Sequence, residues 1–592
     1  MKQRLSAFFT PKTAANAGFI EKIVPPGTDG DPLVTGLEYD SRHIKPGNLY
    51  FALPGIHADG HAFIDDAVKK GAAVVVHEAG LPEYPAGAVY IRLGDSRFGM
   101  SPVAASFYGH PSRSLGVVGV TGTEGKSTTV YLIYQLLRLA GKKAGFISTV
   151  QYSDGGGEQW NPEHQTTPEA TAIHKLLAEM RSNGAEYAIV ESSSHGLSKR
   201  TNRLGDVAFD AAVMTNVTHE HLEFHGTWEQ YRYDKANLFR ALGRTAHVKA
   251  IGENSITVES EQSPQGGDRF TADSAQKKRD VPCFAVVNAD DPSAGYFIEA
   301  GIGHGTADDG AAAKGGVPRR IYTYSTKGAA ADLSLDRVES TAEGNQYRVT
   351  IRGDGGAAAD TGGSGPAATG TAPAAALIGD RLPGAFNAGN VLAALLTVSG
   401  LLAVPVTDLI PLVLRLKPVR GRMTAVARGQ PFEVLVDYAH TPSSFNTIFP
   451  PLRERLEKSG GRIISLFGSA GERDTTKRPE QGRIAAEWSD IVILTDEDPR
   501  GEDPMAILED IARGIPGNSS AAEKNRAETL FLIPDRPTAI RKAFSLARRG
   551  DLVLLLGKGH ENSIIYTGAP KPYDEIGEAE KALAEMGFSR PE

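Results

Sequence analysis

The run Val117-Val118-Gly119-Val120-Thr121-Gly122-Thr123-Glu124-Gly125-Lys126-Ser127-Thr128-Thr129 constrains everything around it. The apolar stretch from Leu115 to Val120 reads as a buried strand, and Val130 to Leu137 follows at helical spacing. A strand, a Gly-rich turn and a helix in that order form a cradle for phosphate, because the turn aims backbone N–H groups at the anion and the helix N-terminus adds its positive end. Gly122, Thr123, Glu124 and Gly125 would supply that turn, and Lys126 would reach the terminal phosphates. The Ser127 or Thr128 hydroxyl would meet a magnesium ion. The longer form of the loop needs glycine where Val120 stands, so the shorter Gly-Thr-x-Gly-Lys-Ser-Thr form is present. An ordinary glycine turn before a helix is the plainer alternative; the strand before it and the Lys-Ser after it weigh against that.

A chain of 592 residues, at roughly 150 residues per domain, suggests three to five domains. The net charge of −8 implies no broad basic surface, so no nucleic-acid partner is expected. One cysteine, Cys283, rules out an intrachain disulfide and a cysteine-rich zinc site. Residues 1–20 hold no apolar core of signal-peptide length, and no later run is long enough to span a bilayer. A soluble cytoplasmic protein, without membrane insertion and monomeric, is the expectation.

Residues 1–112 read as a small α/β unit of their own, with strands at Asn48 to Leu53 and Ala72 to Val76 around a helix ending at Gly71. Two polar turns lie in it, Asp40-Ser41-Arg42 and His57-Ala58-Asp59-Gly60-His61; as isolated strings, both read as surface turns. Residues 113–417 alternate helix and strand around the phosphate loop. Ala188 to Val190 delivers Glu191-Ser192-Ser193-Ser194-His195-Gly196, and Ala211 to Met214 delivers Thr215 through His221. In open parallel sheets ligands bind at the carboxyl edge of the strands, so Glu191 is a candidate magnesium ligand. Low-complexity segments near 253–282, 303–318 and 353–376 cannot bury a core and read as surface insertions. Residues 418–592 read as a doubly wound, Rossmann-like sheet. Four of its strands end in charged or glycine turns: Asp437 to His440, Gly468 to Gly471, Asp496 to Arg500, and Gly557 to Glu561.

With these motifs in view, the chain resembles the Mur ligases, and within that family the E-type, tripeptide-forming branch. The resemblance runs from about Leu37 to the C-terminus, outside the insertions. It implies an α/β architecture of three domains: a UDP-sugar-binding domain, a central ATPase domain and a C-terminal Rossmann-like domain. It also implies site residues. Ser41, His57 and Asp59 match the UDP-contacting region, and Thr166, Thr167 and Ser193 match positions that hold the sugar-peptide. Arg203 fills the later substrate position, with two extra residues before it. Glu191 and His221 match magnesium ligands beside Ser127, and Lys235 matches the lysine that is carbamylated in the family. A free lysine, with a pKa of about 10.4, would repel magnesium; carbon dioxide turns it into an anionic oxygen ligand. Asn288, Asn387, Asn390, Arg422, Asp437 and His440 match nucleotide-contacting positions. Arg473, Asp498, Arg500, Gly557 and Glu561 match positions around the incoming amino acid, and Ala470 stands where glycine is usual.

The activity this implies is ATP-dependent addition of a diamino acid to UDP-N-acetylmuramoyl-L-alanyl-D-glutamate through an acyl phosphate. The family's diaminopimelate-selecting loop reads Asp-Asn-Pro-Arg; here Asp496-Glu497-Asp498-Pro499-Arg500 keeps the arginine but carries extra acid. That acid would attract a side-chain ammonium and could occupy Arg500, which favours L-lysine or L-ornithine over meso-diaminopimelate. Two rival readings stand beside this one: a folylpolyglutamate synthase-like ligase, and a P-loop kinase or nucleotide-binding module.

Overall fold

Gly116–Thr121 forms a strand in which every residue is buried, as a nearly continuous apolar run does when both sheet faces are covered. The helix Lys126–Leu139 follows, starting from Gly125 in the left-handed region. Its Leu132, Ile133, Leu136 and Leu137 are all 0% exposed, and four such side chains are worth roughly 6–12 kcal/mol of gross burial. The phosphate loop therefore hangs between a buried strand and a firmly seated helix.

The computed structural model describes all residues except 56–58, 162–164, 219–221, 243–246, 250, 252–278, 303–319, 342–343, 353–372, 458, 517–527, 568–569 and 590–592. They divide into two compact units. The first takes in the described parts of Met1–Asp336, Val349–Ala376 and Gly389–Leu412; the second those of Arg337–Arg348, Leu377–Ala388 and Val413–Glu592.

The first unit contains two main sheets. In the N-terminal one, the order is Phe19–Ile23, Val89–Leu93, Val74–His77, Asn48–Phe51, Gly36–Glu38, and only the first pairing is antiparallel. In the central one, Ala144–Ile147, Tyr187–Glu191, Gly116–Thr121, Ala211–Met214, Phe284–Asn288 and Arg320–Ser325 run side by side in parallel. The hairpin Gln151–Ser153 and Glu158–Trp160 extends it beyond Ala144–Ile147. The phosphate-loop strand thus lies between the strand that ends in Glu191 and the strand that ends at Met214.

In the second unit the sheet order is Thr424–Ala425, Glu433–Asp437, Leu552–Leu556, Ile463–Phe467, Ile491–Leu494, Leu530–Leu532, parallel beyond the first pairing. Its core lies on both faces, with Phe445, Phe449 and Ile511 on one and Ile540, Phe544 and Leu583 on the other.

Strand structure reaches into two segments expected as insertions. Arg279–Asp280 pairs with Val248–Lys249, and Ala374–Asp380 is a strand. Ladder partners distant in sequence make these strands, and local composition does not report them. Otherwise the expected insertions near 253–282 and 353–376 lie mostly, and that near 303–318 wholly, outside the described residues. Among the described residues no helix is long and apolar enough to cross a membrane.

Candidate active site

Backbone conformation makes the phosphate loop. Gly122 and Gly125 have φ of +150° and +78°. A Cβ on Gly122 would stand 1.9 Å from Thr215 Oγ1, and one on Gly125 2.5 Å from Asn390 Oδ1, so both positions also demand glycine for space. The neighbouring strand end holds the loop from behind. Asn216 accepts from the Glu124 N–H through Oδ1 at 2.9 Å, and its carbonyl accepts from Thr123 N at 2.8 Å. Thr215 Oγ1 donates to the Glu124 carbonyl at 2.6 Å. Thr123 Oγ1 lies 3.0 Å from the Tyr231 hydroxyl. Lys126 is half-buried and donates from Nζ to the Thr123 carbonyl at 2.7 Å; Thr128 is half-buried too.

Glu191, 1% exposed, accepts from Ser127 Oγ at 3.0 Å and Thr149 Oγ1 at 2.9 Å on Oε1, and from Thr149 N at 2.8 Å on Oε2. Two oxygens bound cis to magnesium with bonds of about 2.1 Å lie about 3.0 Å apart, so Ser127 and Glu191 have the spacing of two such ligands. The partners of Oε1 are hydroxyls, which can turn their lone pairs toward a cation; the N–H on Oε2 cannot. Among the described residues there is no group of three or more His, Cys, Asp or Glu able to hold a metal. His221 lies outside the described residues, as does His57.

Lys235 projects from the helix Trp228–Ala241, is 1% exposed, and donates from Nζ to the Gly122 carbonyl at 2.6 Å. Its ammonium stands 4.5 Å from the centre of the Tyr231 ring. The residue before it, Asp234, accepts from His225 Nδ1 at 2.8 Å, while His225 Nε2 pairs with Ser194 Oγ at 3.0 Å. These three side chains tie the Lys235 helix to the turn that carries Ser193. Asn288 donates to the Thr215 carbonyl at 2.8 Å, which makes it a support of the strand end behind the loop. Asn390 Oδ1 accepts from Thr129 Oγ1 at 3.1 Å.

Next to Glu191, Thr167 Oγ1 donates to the Glu191 carbonyl at 2.9 Å and accepts from Ser193 N at 3.0 Å. Ser193 Oγ caps the short helix Ser194–Leu197 by accepting from Gly196 N. Arg203 donates to the Thr167 carbonyl and to Glu169, both at 2.8 Å, and Arg97 meets the same Glu169 oxygen at 3.1 Å. The two extra residues before Arg203 thus do not keep it from Thr167; Thr166 beside it is half-buried. Farther off in the N-terminal sheet region, the Ser41 carbonyl accepts from Lys70, and Asp59 accepts from His61 Nδ1 at 2.6 Å. Among the described residues, neither hydrogen-bonds to the Thr167 group.

In the second unit, the polar turns gather at the carboxyl edge of the sheet. Asp437, 6% exposed, accepts from Met423 N and Ala439 N, both at 2.7 Å; burial pushes its carboxyl up, opposed by the Arg422 charge. Arg422 stacks 4.6 Å from the Tyr438 ring centre, and the His440 carbonyl accepts from Lys477 at 3.0 Å. Asn387 donates to the Pro383 carbonyl at 2.8 Å. Lys558, 0% exposed, bridges Asp498 at 2.8 Å and Glu561 at 2.5 Å. Burial works against its charge, but the two carboxylates outweigh burial and hold it above the ordinary lysine range.

That bridge corrects one expectation. Asp498 Oδ1 is taken by Lys558 and by Ile565 N at 2.9 Å, not by Arg500. Among the described residues Arg500 forms no ion pair with Asp498 or Glu497, and its Nε is buried without a hydrogen-bond partner. The physical reason is reach: Lys558, in the loop that follows Leu552–Leu556, meets Asp498 Oδ1, while Arg500, at φ +54°, is bound through its backbone to Ile565. Gly557, at φ +99°, passes so near Glu497 that a Cβ would stand 3.1 Å from Oε2. Arg473 is exposed. Thr149, Asn216, His225, Asp234 and Lys558 carry no role in the sequence reading. Of these, Lys558 stands inside the Gly557-to-Glu561 turn singled out in the sequence.

A phosphate loop with an acidic partner on the next strand, followed by a second parallel sheet with a charged edge, defines a nucleotide-using α/β enzyme. Comparison with known proteins agrees. The profile "Mur ligase family, catalytic domain" matches residues 33–93, "Mur ligase middle domain" residues 120–265, and "Mur ligase, glutamate ligase domain" residues 421–559. The chain is 46% identical to a UDP-N-acetylmuramyl-tripeptide synthetase of Treponema denticola, covering 94% of this chain and 95% of that one. It is 34% identical to a UDP-N-acetylmuramoyl-L-alanyl-D-glutamate–2,6-diaminopimelate ligase of Geobacillus kaustophilus, covering 94% and 96%. A solved structure of a ligase of that same name shares the fold at a TM-score of 0.53 and 24% identity, covering 94% and 96%. The chain belongs to the Mur ligase family, whose members are ATP-dependent amide-bond-forming ligases.

Proposed function

We propose that this enzyme adds a diamino acid to the D-glutamate carboxylate of UDP-N-acetylmuramoyl-L-alanyl-D-glutamate, with ATP converted to ADP and phosphate. The product would be a peptidoglycan precursor made in the cytoplasm by a monomer. The observation that carries the reading is a continuous polar line. Ser127 Oγ meets the Glu191 carboxylate, the Glu191 carbonyl meets Thr167, and the Thr167 carbonyl meets Arg203. This line supports a reading in which a phosphate site and a site for an acyl-bearing anion would adjoin, as phosphoryl transfer to a carboxylate requires.

A carboxylate is a poor electrophile because an oxide must leave. Transfer of the ATP γ-phosphoryl group to it gives an acyl phosphate. The incoming amine then forms the C–N bond, the C–O bond to phosphate breaks, and phosphate departs. The first step brings two anions together, so the protein's main task is to offset charge. Lys126 and the loop N–H groups would face the phosphates, while Arg203, Thr166, Thr167 and Ser193 would orient the substrate carboxylate. Ser127, Glu191, His221 and a carbamylated Lys235 would hold magnesium. When bound, the ion supplies further neutralisation of phosphate charge.

The remaining roles follow the same reading. Residues 1–112, with Ser41, His57 and Asp59, would bind the UDP-sugar. Residues 113–417 would bind ATP, helped by Asn288, Asn387 and Asn390. Residues 418–592 would contact nucleotide through Arg422, Asp437 and His440, and the amino acid through Arg473, Asp498, Arg500, Gly557 and Glu561. The test is ADP release with each substrate omitted in turn. Dependence on both UDP-sugar dipeptide and diamino acid is expected; turnover with a folate, or with no second substrate, would overturn the proposal.

A further inference from the structure

Arg536 is 0% exposed and so is Glu575, yet neither belongs to any motif used above. A charge pair with no access to water is costly unless nearly every donor and acceptor is used. Here they are. Arg536 Nε and Nη2 bind the two Glu575 oxygens at 2.8 and 2.7 Å, and Tyr573 donates to Glu575 Oε2 at 2.5 Å. The other guanidinium contacts go to backbone: Nη1 donates to the Asp496 carbonyl at 3.0 Å and Nη2 to the Leu556 carbonyl at 2.6 Å.

Those two carbonyls have a special place. Leu556 ends the strand Leu552–Leu556, and Asp496 follows the strand Ile491–Leu494 by two residues. The strand Ile463–Phe467 lies between these two in the sheet, so no ladder hydrogen bond joins them directly. From these points emerge the loops Glu497–Arg500 and Gly557–Glu561, which meet again through Lys558 and Asp498. One planar guanidinium therefore spans the middle strand and fixes the separation of both loops at their roots.

We propose that Arg536, locked by Glu575, is a positioning residue for the incoming amino acid. It sets the gap between the Glu497–Arg500 loop and the Gly557–Glu561 loop, and so the placing of Arg500 and Glu561 around the substrate. This rests on the reading of those loops as the amino-acid site. A lysine in its place keeps the charge but offers three donors on one nitrogen, so it cannot reproduce the four bonds of the planar fork to both Glu575 oxygens and the two carbonyls. The loops would then relax by fractions of an ångström, which a binding constellation registers strongly.

The experiment compares steady-state kinetics of the full-length enzyme with Arg536→Lys and Glu575→Gln. In both variants the KM for the amino acid should rise at least about tenfold, and the ratio of kcat/KM among L-lysine, L-ornithine and meso-diaminopimelate should shift. The KM values for ATP and UDP-sugar dipeptide should hold within about twofold. A purely structural pair would instead lower the melting temperature and the fraction of active enzyme, leaving the amino-acid KM unchanged. That outcome, or an equal rise in all three KM values, overturns the proposal. If Arg536→Lys does not fold, Glu575→Gln, which keeps the shape and one accepting oxygen but loses the charge and sets an NH2 group against the donors of Arg536 and Tyr573, decides alone. Wild-type enzyme that turns over ATP without needing a diamino acid would instead overturn the functional reading beneath it.

Discussion

Ser127 Oγ and Glu191 Oε1 stand 3.0 Å apart although 64 residues separate them in the chain. The parallel pairing of Tyr187–Glu191 with the phosphate-loop strand, Glu191 opposite Val120, brings them together. Glu191→Gln keeps the shape and the Thr149 contact to one oxygen but removes the charge. We expect turnover to fall at least about 100-fold and the magnesium concentration for half-maximal rate to rise. Unchanged ADP release across a magnesium titration would remove Glu191 from the metal site.

Lys126 is half-buried, and it donates to a loop carbonyl, that of Thr123. Lys126→Ala should therefore leave the melting temperature within a few degrees of wild type while turnover drops by about 1,000-fold or more. Near-normal ligation by a folded variant would exclude the loop as the ATP site.

What was legible in the sequence is local. Strand, glycine turn and helix at 116–139 follow from apolar runs and from Gly122 and Gly125, and the strand ends at Glu191, Asp437 and Leu494 follow from short apolar runs stopped by polar residues. The helix Pro442–Glu457 was not legible, since Pro450 and Pro451 lie inside it and read as a stop. Nor were the partners across the fold. Thr149 on Glu191, Asn216 behind Glu124, and Arg536 on Glu575 each join positions tens of residues apart, and no periodicity encodes such pairs. The expected pairing of Arg500 with Asp498 missed for the same reason: Arg500 is two residues away in the sequence, whereas Lys558, which takes Asp498, is sixty away.

Lys235 offers a chemical test. Lys235→Ala removes a buried amine and leaves the Gly122 carbonyl without that donor. The variant should be nearly inactive, and short carboxylates such as formate or acetate should partly restore activity by replacing the carbamate oxygens. Wild-type rates without any additive would exclude a carbamate at this position.

His247 predicts a pH dependence of stability away from the site. Its Nδ1 faces Asp210 at 2.9 Å and its Nε2 faces the Leu242 carbonyl at 2.9 Å, so both nitrogens must donate and the ring must be an imidazolium. Burial alone would lower its pKa, but the Asp210 carboxylate, with Cys283 nearby, outweighs burial and pushes it up to about 10. The folded value lies above the ordinary value of about 6.5, so the stabilisation is complete below that pH and is lost as pH rises toward the folded value. Urea midpoints for wild type and His247→Gln should differ most at about pH 6 and converge by about pH 10. Lys249, also on Asp210, is common to both proteins and cancels from the difference. A gap that stays constant with pH would show the ring to be neutral.

The last prediction is the amino acid itself. Near the strand ends Glu497, Asp498 and Glu561 supply three carboxylates, and Lys558 and Arg500 two cations. Lys558 is spent on Asp498 and Glu561, so it leaves one negative charge over between those two. Arg500 is committed to neither Asp498 nor Glu497, and Glu497 Oε2 is buried without a hydrogen-bond partner. Every diamino acid brings a carboxylate that Arg500 can take. The difference lies at the far end, where lysine and ornithine carry an ammonium alone and meso-diaminopimelate carries an ammonium and a second carboxylate. An ammonium alone cuts the surplus of two negative charges to one; a second carboxylate restores it to two in a site largely shut from water. We therefore expect kcat/KM for L-lysine or L-ornithine to exceed that for meso-diaminopimelate by about tenfold or more, a difference of about 1.4 kcal/mol. Glu497→Gln should narrow that gap by weakening the basic substrates, with meso-diaminopimelate little changed. A clear preference of wild-type enzyme for meso-diaminopimelate would show that Arg500 selects a second carboxylate and that the acidic pair only positions Lys558.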